Sequence, residues 1–215
     1  MSFAPDEQST VLHSSHSTNG SGINRVFDVL FASVLLVLLL PVFVLIALAI
    51  KLDDGGPVIY KQARVGRHFR LFQIYKFRSM AVGAETKGLL TGRDDLRQTQ
   101  VGRFLRRYKL DELPQLLNVV RGHMQLVGPR PEVERYVSAF RSQYVEVLNE
   151  RPGLTDPASL AFRDEQQLFA SDAAEQQYLN QILPSKLKIS LEYQKRRNPW
   201  TDLAVLVRTV FAVIS

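Results

Sequence analysis

Polar and apolar positions divide the chain into a polar head, one long apolar run and a mixed remainder. Residues 1–22 include Ser14, Ser15, Ser17, Asn19, Gly20, Ser21 and Gly22 without an apolar period, which predicts a mobile tail. The head lacks the basic start and small-residue cleavage site of a signal peptide, so the apolar run after it is expected to be retained. That run, residues 26–50, is 25 residues long and sufficient to span a bilayer. A single transmembrane helix is one reading. Three details favour a helix–break–helix that enters and leaves by one face. Pro41 lies near the middle, where proline removes a helix hydrogen bond at a cost of about 3 kcal/mol in an aqueous helix. Asp28 has to be hidden near one end. Arg25 and Lys51 flank both ends, so positive charge sets no orientation.

After the run the pattern changes. Residues 57–62 and 69–77 are rich in Val, Ile, Tyr and Phe, and residues 65–68 suit a turn between them, which predicts a β-hairpin. Residues 81–96 are polar and read as a loop. Val101, Phe104, Leu105 and Tyr108 form one helical stripe. A short apolar helix follows Leu110–Asp111–Glu112–Leu113–Pro114 and stops at Gly122. Gly128–Pro129–Arg130–Pro131 predicts a stiff turn, with Pro131 starting a helix whose apolar set is Val133, Tyr136, Val137, Phe140, Tyr144, Val147 and Leu148. Residues 185–197 form a basic amphipathic helix. Residues 200–214, with Trp200, Leu203, Leu206, Val207, Val210, Phe211 and Ile214, fit either a helix in a lipid headgroup layer or an ordinary core helix. The expected class is α+β: mostly helical with a small hairpin, divided into a tail (1–22), a membrane element (23–52) and a main domain (53–215).

Composition narrows the chemistry. There is no cysteine, which excludes disulfides, thiolate nucleophiles and Cys-type zinc sites. Two of the four histidines, His13 and His16, fall in the tail, so a His-based metal site is not expected. The net charge of +6 is concentrated: residues 1–60 have 2 basic and 5 acidic side chains, 61–109 have 13 and 3, and 110–215 have 12 and 13. A basic block beside an apolar run favours anionic lipid or a phosphorylated substrate over nucleic acid.

Three motifs can carry chemistry. Asp111–Glu112 is the first; Asp111 by itself suits a helix N-cap, with Pro114 tolerated in the first turn. Its setting among arginines, close to the 128–131 turn, also suits a carboxylate that meets a phosphate, and such carboxylates can hold Mg2+ together with substrate phosphates. Arg130, fixed between two prolines, presents a fork that matches phosphate or carboxylate. Lys76 and Arg78 share a face if both lie on a strand and could reach one polyanion.

Together these pieces resemble the bacterial sugar transferase family, small monotopic phosphoglycosyl transferases, from Arg25 to the C-terminus. The resemblance is carried by Arg25-x-Phe27-Asp28, Gly56-Pro57-Val58-Ile59-Tyr60-x-Gln62-x-Arg64-Val65-Gly66, Tyr75-Lys76-Phe77-Arg78-Ser79-Met80, Leu110-Asp111-Glu112-Leu113-Pro114-Gln115-Leu116-x-Asn118-Val119, Leu126-Val127-Gly128-Pro129-Arg130-Pro131 and Arg151-Pro152-Gly153-Leu154-Thr155. It implies a re-entrant membrane helix broken near a proline and a catalytic domain on the cytoplasmic face of the bacterial inner membrane. It also implies a two-step reaction in which Asp111 attacks the β-phosphate of a UDP-sugar and releases UMP. Polyprenyl (undecaprenyl) phosphate then takes the sugar phosphate from Asp111, as in covalent catalysis by carboxylates. Glu112 would assist, Mg2+ would bridge phosphate and dyad, and Lys76, Arg106 and Arg130 match positions associated with phosphate binding. UDP-sugar, polyprenyl phosphate and membrane lipid are the expected partners, a homodimer is compatible, and nucleic acid is not expected.

The chain departs from the family pattern in three places. Leu40 stands where many members have Ser before the membrane proline. Gly122-His123-Met124 replaces the usual Gly-Asp-Met. The stretch Asp156-Pro157-Ala158-Ser159-Leu160-Ala161-Phe162-Arg163 differs from the common Gly-x-Ala-Gln-Val-x-Gly-Arg, so sugar identity does not carry over. The second and third departures motivate an alternative, a membrane-bound scaffold without catalysis, against which stands the retention of both Asp111 and Glu112.

Overall fold

A computed structural model describes residues 22–84, 95–165 and 174–214. The expected tail up to residue 21 and most of the expected loop, residues 85–94, lie outside the described residues. The apolar run forms two helices, α1 (Arg25–Leu38) and α2 (Leu40–Asp54), bent by 60° at the break between them. Pro41 occupies the start of α2, where a missing N–H leaves no intrahelical bond unmade. Among the described residues no single helix is long and apolar enough to cross a membrane, whereas the bent pair together meets that length and composition. Gly55, at φ 72°, ends α2 in the left-handed conformation.

One side of this pair belongs to the protein core. Ala32, Ile46 and Ile50 are buried, while Val26, Leu30, Val34, Val37, Leu38, Leu45 and Leu48 are exposed. Asp28 is hidden, as the sequence requires: it accepts a hydrogen bond from Leu126 N (3.3 Å). Arg25 donates to Met124 O (3.1 Å), Val119 O (2.5 Å) and Val120 O (3.3 Å). A cation there satisfies carbonyls that the end of a helix leaves open.

The hairpin is present, with its first strand displaced. Strands β1 (Ile59–Val65) and β2 (Leu71–Phe77) pair antiparallel from Ile59↔Phe77 to Val65↔Leu71. The turn comes later than the sequence pattern suggests, and His68 and Phe69 adopt positive φ (54° and 60°). Tertiary contact holds this uncommon backbone: His68 N donates to Leu148 O at 2.9 Å.

Helix α3 (Gln100–Arg107) starts on a Thr99 cap, whose Oγ1 accepts from Gly102 N. Gly102 is packed so closely on the Ser79 backbone that a Cβ would fall 2.0 Å from its carbonyl oxygen. That approach fixes the helix's rotation and divides the expected stripe. Leu105 is buried, whereas Phe104 and Tyr108 face outward, their rings 4.9 Å apart. A 3-10 turn (Leu110–Gln115) leads into α4 (Leu116–Val120), which stops at Gly122 (φ 84°) as expected.

A second sheet, absent from the sequence reading, pairs β3 (Gln125–Val127) with β4 (Gly153–Thr155) in parallel. Strands of three residues are too short to show a period. Two helices, α5 (Glu134–Ala139) and α6 (Arg141–Val147), replace the one expected from Pro131. Residues 131–133 remain extended because Val65 N bonds Glu132 O (2.9 Å) and prolongs the edge of β1. The predicted apolar set nevertheless packs in one core cluster with Tyr178, Ile182, Leu183 and Leu187.

The last third comprises α7 (Pro157–Ala161), α8 (Ala174–Gln177), a π turn (Tyr178–Ile182), α9 (Leu183–Arg196) and α10 (Pro199–Ile214). Helix α10 turns Asp202 and Val205 inward and leaves Trp200, Leu203, Val207, Val210 and Phe211 exposed, so it is not an ordinary core helix. The α+β expectation agrees with this mixture of helices and two small sheets.

Candidate active site

Lys109 enters the left-handed region (φ 53°) and reverses the chain just ahead of the 3-10 turn, which places Asp111 inside that turn. Asp111 is therefore not an N-cap: the turn has no side-chain cap hydrogen bond. The carboxylate is 5% exposed, and its Oδ1 is buried without a hydrogen-bond partner. Burial raises its pKa above the usual carboxylate range, against the pull of Lys76, and Glu112 raises it further.

Glu112 has the opposite environment. Lys76 Nζ donates to its Oε1 at 2.8 Å, and Arg130 forks across it from Nη2 to Oε1 (2.7 Å) and from Nη1 to Oε2 (3.3 Å). Burial pushes this carboxyl up, but Arg130 and Lys76 outweigh it and hold the group well below the usual range. Lys76 is lowered by burial in spite of Glu112, whereas Glu112 raises Arg130. The adjacent carboxylates are thus driven apart, one held ionised by cations and the other left as an unpaired buried oxygen.

Local structure explains how these side chains meet. On β2, Lys76 follows Phe72 and Ile74 on the face whose apolar members pack with Leu116 and Val119. The fully buried Asn118 locks strand to helix: Tyr75 N donates to its Oδ1 (3.1 Å), and its Nδ2 donates to Gln73 O (2.7 Å). The Arg130 loop is gripped from two sides, by Gly153 N on Pro129 O (2.9 Å) and Arg64 Nη1 on Pro131 O (3.2 Å). Gly128 and Gly153 touch backbone to backbone, where a Cβ on Gly153 would come within 2.1 Å of Gly128 N.

The other two expected site residues lie in different places. Arg106 is near Asp111, where its charge lowers the carboxyl's pKa, and its Nε is buried without a hydrogen-bond partner. Arg78 falls just past the end of β2, off the face that carries Lys76. Its guanidinium is buried on Asp54, Pro57 O (2.7 Å) and Met80 O (3.1 Å), joining the end of α2 to the hairpin rather than entering the dyad. The structure brings Lys76, Glu112 and Arg130 into contact with one another, with Asp111 and Arg106 alongside.

The profile of the bacterial sugar transferase family matches residues 19–215. The chain belongs to the bacterial sugar transferase family. A UDP-glucose:undecaprenyl-phosphate glucose-1-phosphate transferase of Escherichia coli (strain K12) is 36% identical over 91% of this chain and 42% of its own length. A UDP-N-acetylgalactosamine-undecaprenyl-phosphate N-acetylgalactosaminephosphotransferase of Aeromonas hydrophila is 34% identical over 90% of the chain and 44% of its own. The exopolysaccharide production protein ExoY of Rhizobium meliloti (strain 1021) is 37% identical over 82% and 83% respectively. The chain spans less than half the length of the first two.

In this member of the family, three positioning residues escape a reading for chemistry. Asn118 and Arg64 are visible in the sequence only as parts of motifs, and Glu132 not at all. Glu132 accepts from Arg64 Nη1 (3.1 Å) and Tyr178 Oη (2.6 Å), which secures the far side of the Arg130 loop.

Proposed function

We propose that this chain transfers a sugar phosphate from a UDP-sugar to polyprenyl phosphate, with Asp111 as the nucleophile. The observation that carries this reading is the unpartnered, buried Oδ1 of Asp111 beside a carboxylate that is paired with two cations. In the first step an Asp111 oxygen forms a bond to the β-phosphorus of the donor. The bond from that phosphorus to the bridging oxygen breaks, and UMP leaves with the oxygen. In the second step a phosphate oxygen of polyprenyl phosphate attacks the same phosphorus, and the Asp111 carboxylate departs. The product is a polyprenyl-diphospho-sugar, a starting point for membrane glycoconjugate or exopolysaccharide assembly.

Lys76, Arg106 and Arg130 offset the charge of the diphosphate, and Glu112 keeps two of those cations aimed at the site before substrate arrives. A Mg2+ ion suits the same dyad, because Mg2+ uses one or two protein carboxylates and completes its octahedron with water and substrate phosphate. Asp111, with its unpartnered oxygen, and Glu112 would hold it. No third His or carboxylate joins them among the described residues. Bound there, it would neutralise part of the developing phosphate charge.

The bent α1–α2 pair is read as a re-entrant anchor, with the exposed faces of α1, α2 and α10 in lipid and the main domain on the cytoplasmic side. Cysteines introduced at positions 10 and 100 should then label from the same side of sealed vesicles; labelling from opposite sides would establish a span. The reaction is tested by UMP release from a panel of UDP-sugars with polyprenyl phosphate and Mg2+. Wild type should turn over at least one donor, and Asp111→Asn should lose on the order of 10^4-fold in rate while still pelleting with membranes. Full activity in that variant would remove the nucleophile from the scheme, and silence of wild type with every donor would favour the scaffold.

A further inference from the structure

Behind Arg130 lies a cavity of about 20 Å³ that the dyad leaves unused. Its lining is mostly apolar, contributed by α6 and α9, and the polar members are Arg130, Glu132, Asp156, Ser159, Lys186 and Ser190. A single water needs roughly 10–15 Å³ by the same measure, so the space takes one small polar group and excludes a phosphate.

Several of these groups can accept or donate further hydrogen bonds. Ser159 Oγ is buried and has no partner. Asp156 accepts from Ser159 N on one oxygen and from Ser190 Oγ on the other, both at 2.8 Å, and a carboxylate has more lone pairs than two. Lys186 pairs with Glu165 and lies over the rings of Tyr178 (5.2 Å) and Phe162 (5.9 Å), while an ammonium carries three donors. The charges of the wall balance, Arg130 and Lys186 against Glu132 and Asp156. The cavity therefore exerts no net pull on an anion but offers donors and acceptors side by side. A sugar hydroxyl, at once donor and acceptor, matches that wall.

Position supplies the link to the reaction. Arg130, whose guanidinium forks across Glu112, is also one of the residues that line the cavity, so the cavity and the dyad share a side chain. We propose that this cavity is the subsite for one hydroxyl-bearing substituent of the donor sugar, with Ser159, Asp156 and Lys186 as its specificity-determining contacts. The inference rests on the transferase reading. Asp156 and Ser159 fall within the stretch where the chain departs from the family pattern.

The test uses the full chain in lipid nanodiscs. Affinities are measured for UDP and for the UDP-sugar that wild type turns over fastest. Ser159→Ala leaves the Asp156 cap on the Ser159 backbone N–H in place and should weaken the UDP-sugar about 5- to 10-fold, with UDP changed by less than about twofold. Ser159→Leu fills the space and should reorder the donor panel by kcat/KM. If wild type turns over donors but both variants keep its UDP-sugar:UDP affinity ratio and donor ranking, the cavity holds only structural water and the subsite is overturned. If wild type turns over none of the donors, the transferase reading falls and takes the subsite with it.

Discussion

Asp111 and Glu112 are neighbours in sequence, yet their surroundings give them opposite effects on stability. The fold favours protonated Asp111, so stability falls as pH rises from the ordinary carboxylate value of about 4 through the raised one, and the penalty persists above it. Asp111→Asn removes that penalty and should raise Tm at pH 7, with the gain vanishing at pH values where wild-type Asp111 is itself protonated. Glu112 is held below its ordinary value, so its contribution is present at neutral pH and is lost as pH falls through the depressed value. Glu112→Gln leaves Lys76 and Arg130 facing each other without an anion and should cost about 2 kcal/mol, between the values typical of buried and exposed pairs. Thermal melts of both variants from pH 3 to 8 check the two signs; equal shifts would contradict the assignment. Sequence could place both carboxylates beside basic residues. It could not separate them, because the separation comes from Lys76 and Arg130, which lie 36 and 18 positions from Glu112.

At the level of elements, what the sequence made legible follows contact range. Helix α3, the stop at Gly122 and the apolar set of α5 and α6 depend on local period and on glycine, and all three are found. The hairpin turn, the extended residues 131–133 and the β3–β4 sheet depend on partners distant in the chain: Leu148 for His68, Val65 for Glu132, Thr155 for Val127. Arg78 shows the same limit, since its face is decided by where β2 ends and by Asp54 on another helix. Asn118 is the strongest such case, a side chain that serves as a missing strand along β2. Asn118→Leu takes the partner from Tyr75 N and Gln73 O in a part-buried setting and should destabilise by about 1–3 kcal/mol. Activity per folded molecule should fall with it, because Lys76 lies one residue beyond Tyr75. Urea melts alongside kcat measurement would check both; an unchanged midpoint would exclude the role.

Across the whole molecule, the apolar run that the sequence pattern sets apart as a membrane element serves also as a wall of the core. Ala32 of α1 packs in the cluster of Leu116, Val119, Met124 and Tyr193, and Ile46 and Ile50 of α2 pack with Phe77 and Leu105. Arg25 and Asp28 tie the same segment to carbonyl and amide groups around β3. The segments that carry Asp111 and face β2 are therefore supported by α1 and α2 themselves. This arrangement decides how the protein can be handled at the bench. A shortened chain beginning at residue 55, trimmed to give a soluble enzyme, would bare two apolar surfaces and strand Leu126 N. It should aggregate on expression, whereas shortening the chain only to residue 22 should yield a protein that is extracted by detergent with its activity intact.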